Sequence, residues 1–182
     1  MRRIVAHLIR GEAKTEHEKI TRDLSEKFGT FPIHDRIPPH LTLKRWFELD
    51  DASMETLYVI LDDFATSHKQ SGYRLQGFGH YGEDVIYMDV KPSPETSAAV
   101  RDLMEALHGV DKMTFDEFDE MEDDLHATLV FGALKPFEFT PVWDYLNTQE
   151  RIDFNMTFDN IAVLKRNEDK WVVERIWELP AA

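Results

Sequence analysis

Two four-residue phrases, His40-Leu41-Thr42-Leu43 and His126-Ala127-Thr128-Leu129, carry the groups in this sequence best suited to chemistry. Each sits in a short apolar run that reads as a β-strand, where side chains alternate between faces. His and Thr two residues apart then share one face, while Leu41 and Leu43, or Ala127 and Leu129, point into a core. Each phrase thus shows an imidazole and a hydroxyl together. Background usage gives any one His a chance of roughly 4% of being followed at this spacing by Ser/Thr and an aliphatic residue. Two occurrences among 8 histidines arise by chance in about one chain in thirty. Facing each other across a cleft, two imidazoles offer one neutral ring to take a proton and one imidazolium to give one near neutral pH. That suits cleavage or closure of a phosphodiester. A cyclic 2′,3′-phosphate needs its water deprotonated and its leaving ribose oxygen protonated, and Thr42 and Thr128 supply donors for charge growing on the phosphoryl oxygens. Such a pair requires no cofactor and no metal, and no strong metal-binding motif appears.

The elements that must carry these phrases follow from periodicity. A strand is expected at about 3–9 and a helix at about 12–28, with Ile20, Leu24 and Phe28 on one stripe and Gly29 as a stop. Pro32, Pro38 and Pro39 keep the chain extended up to a strand at 40–48. After Asp50 and Asp51 a helix carries Met54, Leu57, Tyr58, Leu61 and Phe64. Runs at 73–81 and 85–91 flank Gly82-Glu83-Asp84 and read as a hairpin. Pro92 to Glu95 start a third helix, which ends at His108-Gly109. A strand at 125–131, a helical stretch near 139–148 and β-runs at 152–165 and 170–179 complete the chain. The motif histidines lie 86 residues apart, close to half of the 182 residues, as two pseudo-twofold lobes would place them. The hairpin-length turns predict an α+β chain of antiparallel or mixed sheets with helices on their outer faces, forming a single bilobal unit over 1–182.

Composition limits the partners. The net charge is −14, with 35 acidic against 21 basic residues, which disfavours long duplex nucleic acid and leaves a small phosphate ester or a short RNA end. The acid run from Asp116 to Asp124 reads as a solvated loop or interaction edge. There is no cysteine, so neither disulfide nor thiolate chemistry is available, and the cytoplasm is the expected compartment. The apolar run from Ile4 to Ile9 is too short for a signal segment and no stretch reaches the length of a membrane span, so no membrane association is expected.

With Pro38-Pro39 directly before the first phrase and a long acidic loop before the second, the chain resembles the 2H phosphoesterases. These are named for two His-x-Thr/Ser-x motifs and include 2′-5′ RNA ligase-like proteins and cyclic phosphodiesterases. Val85-Ile86-Tyr87 and Trp171-Val172-Val173 further resemble a bacillary branch of phosphoesterases. The resemblance implies two antiparallel-sheet lobes around a central cleft, with His40 and His126 catalytic and Thr42 and Thr128 on the phosphate. It also implies either hydrolysis of cyclic phosphates or joining of RNA ends through a 2′-5′ bond. The charge and the lack of a Lys/Arg cluster favour small substrates over a tRNA. A monomer is the simplest expectation.

Other residues divide by face. Lys44 and Trp46 continue the His40 face, where Lys44 could meet a phosphate oxygen and Trp46 a base, while Arg45 falls on the core side and snorkels or caps the lobe edge. His7, His80, Tyr81 and Tyr87 could border the cleft, although packing or surface roles suit them better. His17, between Glu16 and Glu18, reads as part of a solvated face, and His34, His68 and His108 fall in helices or turns. Trp171 and Trp177 read as packing residues. Residue types alone leave other functions open: an RNA-end-binding module without turnover, a hydrolase of a non-nucleotide ester, or a two-His transition-metal site completed by further ligands. Which imidazole is base and which is acid also stays open, since hydrolysis and its reverse exchange the roles.

Overall fold

Local signals in the sequence set the helix limits. Asp50 accepts the Ser53 N–H at 2.9 Å and Ser93, followed by Pro94, accepts the Thr96 N–H at 3.2 Å, so two helices begin where side chains satisfy open backbone donors. Gly29, at φ +64°, ends another by returning its N–H to the Ser25 carbonyl at 3.0 Å. In the structure, a computed structural model that describes residues 1–117, 119 and 125–182, the first half runs β1 (Arg3–Leu8), α1 (Gly11–Phe28), a 3-10 turn (Ile33–Asp35), β2 (His40–Phe47) and α2 (Asp51–Ser67). Then come β3 (Ser71–Tyr81), β4 (Val85–Pro92) and α3 (Pro94–Leu107). The chain finishes with β5 (His126–Phe131), α4 (Phe139–Asn147), β6 (Asp153–Phe158), β7 (Asn160–Asn167) and β8 (Lys170–Glu178).

The strands form two four-stranded sheets, ordered β2-β1-β7-β8 and β5-β4-β3-β6, with every pairing antiparallel. The fold is therefore α+β with two antiparallel sheets, as expected. Each His-x-Thr strand is an edge strand of its sheet, and these two edges, β2 and β5, pack against each other. A large core joins both sheets to the helices, from Val5, Leu41 and Val163 in the first sheet to Leu75, Met88 and Ala127 in the second. A smaller cluster of Ile4, Ala6, Ala162 and Leu164 lies on the other face of the first sheet, under Leu8, Ile37 and Trp171.

The β-run expected at 152–165 is two strands in different sheets. The chain crosses from β6 to β7 at Asp159, and Asn160 makes the crossing possible. Its amide accepts the Leu8 N–H at 2.9 Å and donates to the Leu8 carbonyl at 3.1 Å, taking the place of a strand partner at a corner where Asn160 itself is fully buried. Neither Gly nor Pro marks the break, so periodicity alone runs through it.

Candidate active site

The two motif strands share more than a sequence phrase. In β2, Leu8 lies opposite His40, Ala6 opposite Thr42 and Val5 opposite Lys44, so Leu43 is the extra residue of a bulge. In β5, Asp89 lies opposite His126, Tyr87 opposite Thr128 and Ile86 opposite Val130, so Leu129 occupies the corresponding bulge. A bulge ends the strict two-residue alternation and turns the next side chain to the opposite face. This is why His and Thr are half-buried in both strands while the residues after them, Leu43 with Lys44 and Leu129 with Val130, are buried as consecutive pairs.

Lys44 is accordingly not on the His40 face. It shares the core-side face of Val5, is 1% exposed, and donates to Asp119 at 2.8 Å and to the Arg45 carbonyl at 3.1 Å, with Phe115 under its ammonium. Asp119 also accepts the Arg45 N–H at 3.0 Å. Burial pushes the Asp119 carboxyl up, but the Lys44 ammonium and the N–H groups of Asp116 and Arg45 outweigh it and hold the group below its ordinary range. The acidic run is thus tied to β2 at Asp119, and at Asp116 through Arg45 at 3.2 Å. Residues 118 and 120–124 of that run lie outside the described residues. Trp46 follows a second register shift and lies, 52% exposed, beneath the Arg2 guanidinium.

His40 donates from Nδ1 to the Pro38 carbonyl at 2.8 Å, which fixes the tautomer and leaves the Nε2 lone pair to accept a proton. Burial lowers its pKa to about 4; the Pro38 hydrogen bond acts against that shift and the charge on His126 adds to it. The two motif imidazoles therefore feel each other electrostatically. His126 sits among rings, with the Tyr87 centroid at 5.0 Å and the Tyr81 centroid edge-on at 5.2 Å. The Thr42 and Thr128 hydroxyls, each on its histidine's face, have no hydrogen-bond partner among the described residues. No three His, Asp or Glu side chains among the described residues converge so as to hold a metal ion.

His17 does not lie on a solvated face. It is 2% exposed and donates from Nε2 to the Thr128 carbonyl at 2.9 Å, so α1 holds the backbone of the second motif strand. Burial lowers its pKa to about 4, with the charges of His40 and His34 acting in the same direction. A signal for this exists in the sequence: Ala13, His17, Ile20 and Leu24 fall on one buried stripe of α1. Nothing in residue type points to the Pro38 carbonyl or to Asp119. His7 is buried and ties the sheets together, donating to the Asn160 carbonyl at 2.9 Å and accepting from the Tyr73 hydroxyl at 3.1 Å. His80 packs against Phe139 and Trp143. His68 pairs with Asp102 at 3.1 Å beside an indentation between α2 and α3 that contains none of the motif residues. Trp177 is buried, as expected, with its indole N–H on Asp62.

Comparison with known proteins agrees with this architecture. A model of the 2′-5′ RNA ligase superfamily matches residues 11–170, and the chain belongs to that family. A Bacillus pumilus (strain SAFR-032) protein named "Putative phosphoesterase" is 29% identical over 150 residues, spanning 78% of this chain and 80% of its own length. Among solved structures, TT0787 of Thermus thermophilus superposes with a TM-score of 0.69 at 15% identity, covering 100% of this chain and 99% of that one. LigT of E. coli in complex with 3′-AMP superposes with a TM-score of 0.62 at 15% identity, covering 98% and 97%. LigT has also been crystallised with ATP and with NADP+. Membership of that family makes this an enzyme of the phosphoesterase or ligase type. No helix among the described residues is long and apolar enough to cross a membrane.

Proposed function

We propose that the protein hydrolyses a cyclic 2′,3′-type or a 2′-5′ phosphodiester of a nucleotide or RNA end, using His40 and His126 as a general acid-base pair without a metal. The observation that carries this reading is the convergence of two register-matched edge strands, each presenting a His and a Thr on one face. One imidazole takes a proton from water as the water oxygen bonds to phosphorus. The other gives a proton to the ribose oxygen as the P–O bond breaks. Thr42 and Thr128 donate to the non-bridging oxygens, where charge grows. The tautomer set by Pro38 suits His40 to begin as base in one direction of reaction. The ligands of LigT, among them 3′-AMP, support a nucleotide substrate for this chain, and the net charge of −14 supports a small one over a long polyanion. A cysteine-free chain suits a cytoplasmic setting.

Phosphorus NMR of the protein with 2′,3′-cyclic nucleotides, a short RNA ending in a cyclic phosphate and a 2′-5′-linked dinucleotide tests the proposal, beside His40→Ala and His126→Ala. Turnover lost in both variants, with melting unchanged, supports it; the position of the product phosphate identifies the leaving oxygen. An absence of turnover in the intact, folded protein refutes it.

A further inference from the structure

The two halves of the site match in backbone register but not in what stands beside the threonines. Opposite Thr42 the residue is Ala6, fully buried; opposite Thr128 it is Tyr87. Tyr87 stays beside His126 because of the next strand. Gly79 is its cross-strand partner in β3, and a Cβ there would lie 2.6 Å from Tyr87 Cζ and 2.8 Å from its hydroxyl oxygen. Only a residue without a side chain lets the ring settle across the neighbouring strand. Tyr81, next on the same face of β3, places its ring 4.6 Å from that of Tyr87 and is 38% exposed. The result is a pair of rings at 33° to each other, both bordering His126. Beyond them on β4, Asp89 stands opposite His126 in an ion pair with Lys91 at 2.6 Å, so a polar rim continues the aromatic pair. In the first lobe the positions opposite Thr42 and His40 are aliphatic instead: Ala6 and Leu8 belong to the cluster of Ile4, Ala162 and Leu164, which Trp171 flanks.

We infer that Tyr81 and Tyr87, seated by Gly79, form the platform on which the heterocyclic base of the substrate lies, so that the base occupies the His126 lobe and the phosphate lies between the two motifs. The inference rests on the phosphodiesterase reading above and adds to it a specificity determinant and an orientation. Flat rings bind a base by its π-face with little preference among bases, which predicts tolerance of base identity together with a requirement that some base be present. The acidic surface favours such a contact over one made through basic side chains.

Equilibrium binding separates this platform from the catalytic proposal because it needs no turnover. Calorimetric titration with adenosine 3′-monophosphate and with inorganic phosphate is compared across the unaltered protein, Tyr81→Ala, Tyr87→Ala, Tyr87→Phe and Gly79→Ala. The platform requires the nucleotide to bind more tightly than phosphate and to lose about tenfold in affinity in each Tyr→Ala variant. It also requires Tyr87→Phe to retain most of that affinity, and Gly79→Ala, which keeps both rings but displaces one, to lose it. Phosphate affinity is to stay constant throughout. Equal binding of nucleotide and phosphate by the unaltered protein, no nucleotide binding at all, or equal weakening of both ligands in the ring variants overturns the inference. Ring-dependent nucleotide binding in a protein that turns over no cyclic phosphate leaves the platform standing and removes the catalytic reading.

Discussion

A histidine that is to remove a proton must be neutral when its substrate arrives, and His40 meets that condition over an unusually wide pH range. Its burial and the nearby His126 charge bring the pKa down to about 4, so the neutral ring persists well below the ordinary histidine range. If His40 is the base, the acidic limb of kcat/KM falls near pH 4 and not near 6.5, with the rate level above it until the acid partner deprotonates. A pH-rate profile on a 2′,3′-cyclic nucleotide measures this, and an acidic limb at the ordinary histidine value counts against His40 as base. Replacing either motif histidine by Gln is expected to lower kcat by about 10²–10⁴-fold. Both replacements together should cost little more than one, because a lone partner has no complete proton path. On the proposed mechanism, Thr42→Val and Thr128→Val remove a donor to the phosphate while keeping shape. Each is expected to lower kcat by about 10²-fold, with recovery in the Ser variants, as read in the same assay.

Among the elements, the strands, the helices and the His-x-Thr faces are legible in the sequence, because they follow from alternation, caps and the apolar stripe. What stays hidden is where alternation stops. The bulges at Leu43 and Leu129 leave no mark in residue type, so alternation places Lys44 beside His40 although it points to the opposite face. The crossing at Asp159 is hidden for a similar reason, since Asn160 replaces a strand partner by side-chain hydrogen bonds that periodicity cannot register. Val130, at the matching position of β5, shows that an aliphatic residue can fill the site after the bulge; β2 buries an ammonium there and must neutralise it. A buried charge that loses its partner costs about 3–5 kcal/mol, whereas replacing both partners by apolar groups is often close to neutral. Asp119→Ala is therefore expected to destabilise by that amount and Lys44→Met with Asp119→Leu by much less, in chemical denaturation. Equal losses in the single and double variants would show that Asp119 acts through its backbone N–H partners instead. Asn160→Ala, which strands the Leu8 N–H and carbonyl in a buried corner, is expected to cost about 2–4 kcal/mol.

Over the whole molecule, two buried imidazoles outside the motif pair connect parts that come from different stretches of chain. His7 joins β1 and β7 of the first sheet to Tyr73 in the second, and His17 joins α1 to β5. Both act as neutral rings, and burial holds each pKa at about 4 against the ordinary 6.5. A depressed histidine pKa means that the unfolded chain binds the proton first. Stability is therefore complete above about 6.5 and falls as pH drops towards 4, by about 1.4 kcal/mol per pH unit for each ring. Protonation also gives each ring a second N–H: on His7 at Nε2, which in the neutral ring accepts from the Tyr73 hydroxyl, and on His17 at Nδ1, which is buried with no hydrogen-bond partner among the described residues. The net charge of −14 works in the opposite direction, since acidification relieves self-repulsion. That contribution is common to the protein and its variants and cancels in the comparison. Urea denaturation between about pH 7.5 and 4.5 should show a steep loss of stability for the unaltered chain. The slope should be shallower by one proton in His7→Gln, by one in His17→Gln and by two in the double variant. An unchanged slope would overturn this account, because carboxylates held below their ordinary range, such as Asp119 and Glu174, lose their contribution only at more acidic pH than this window covers.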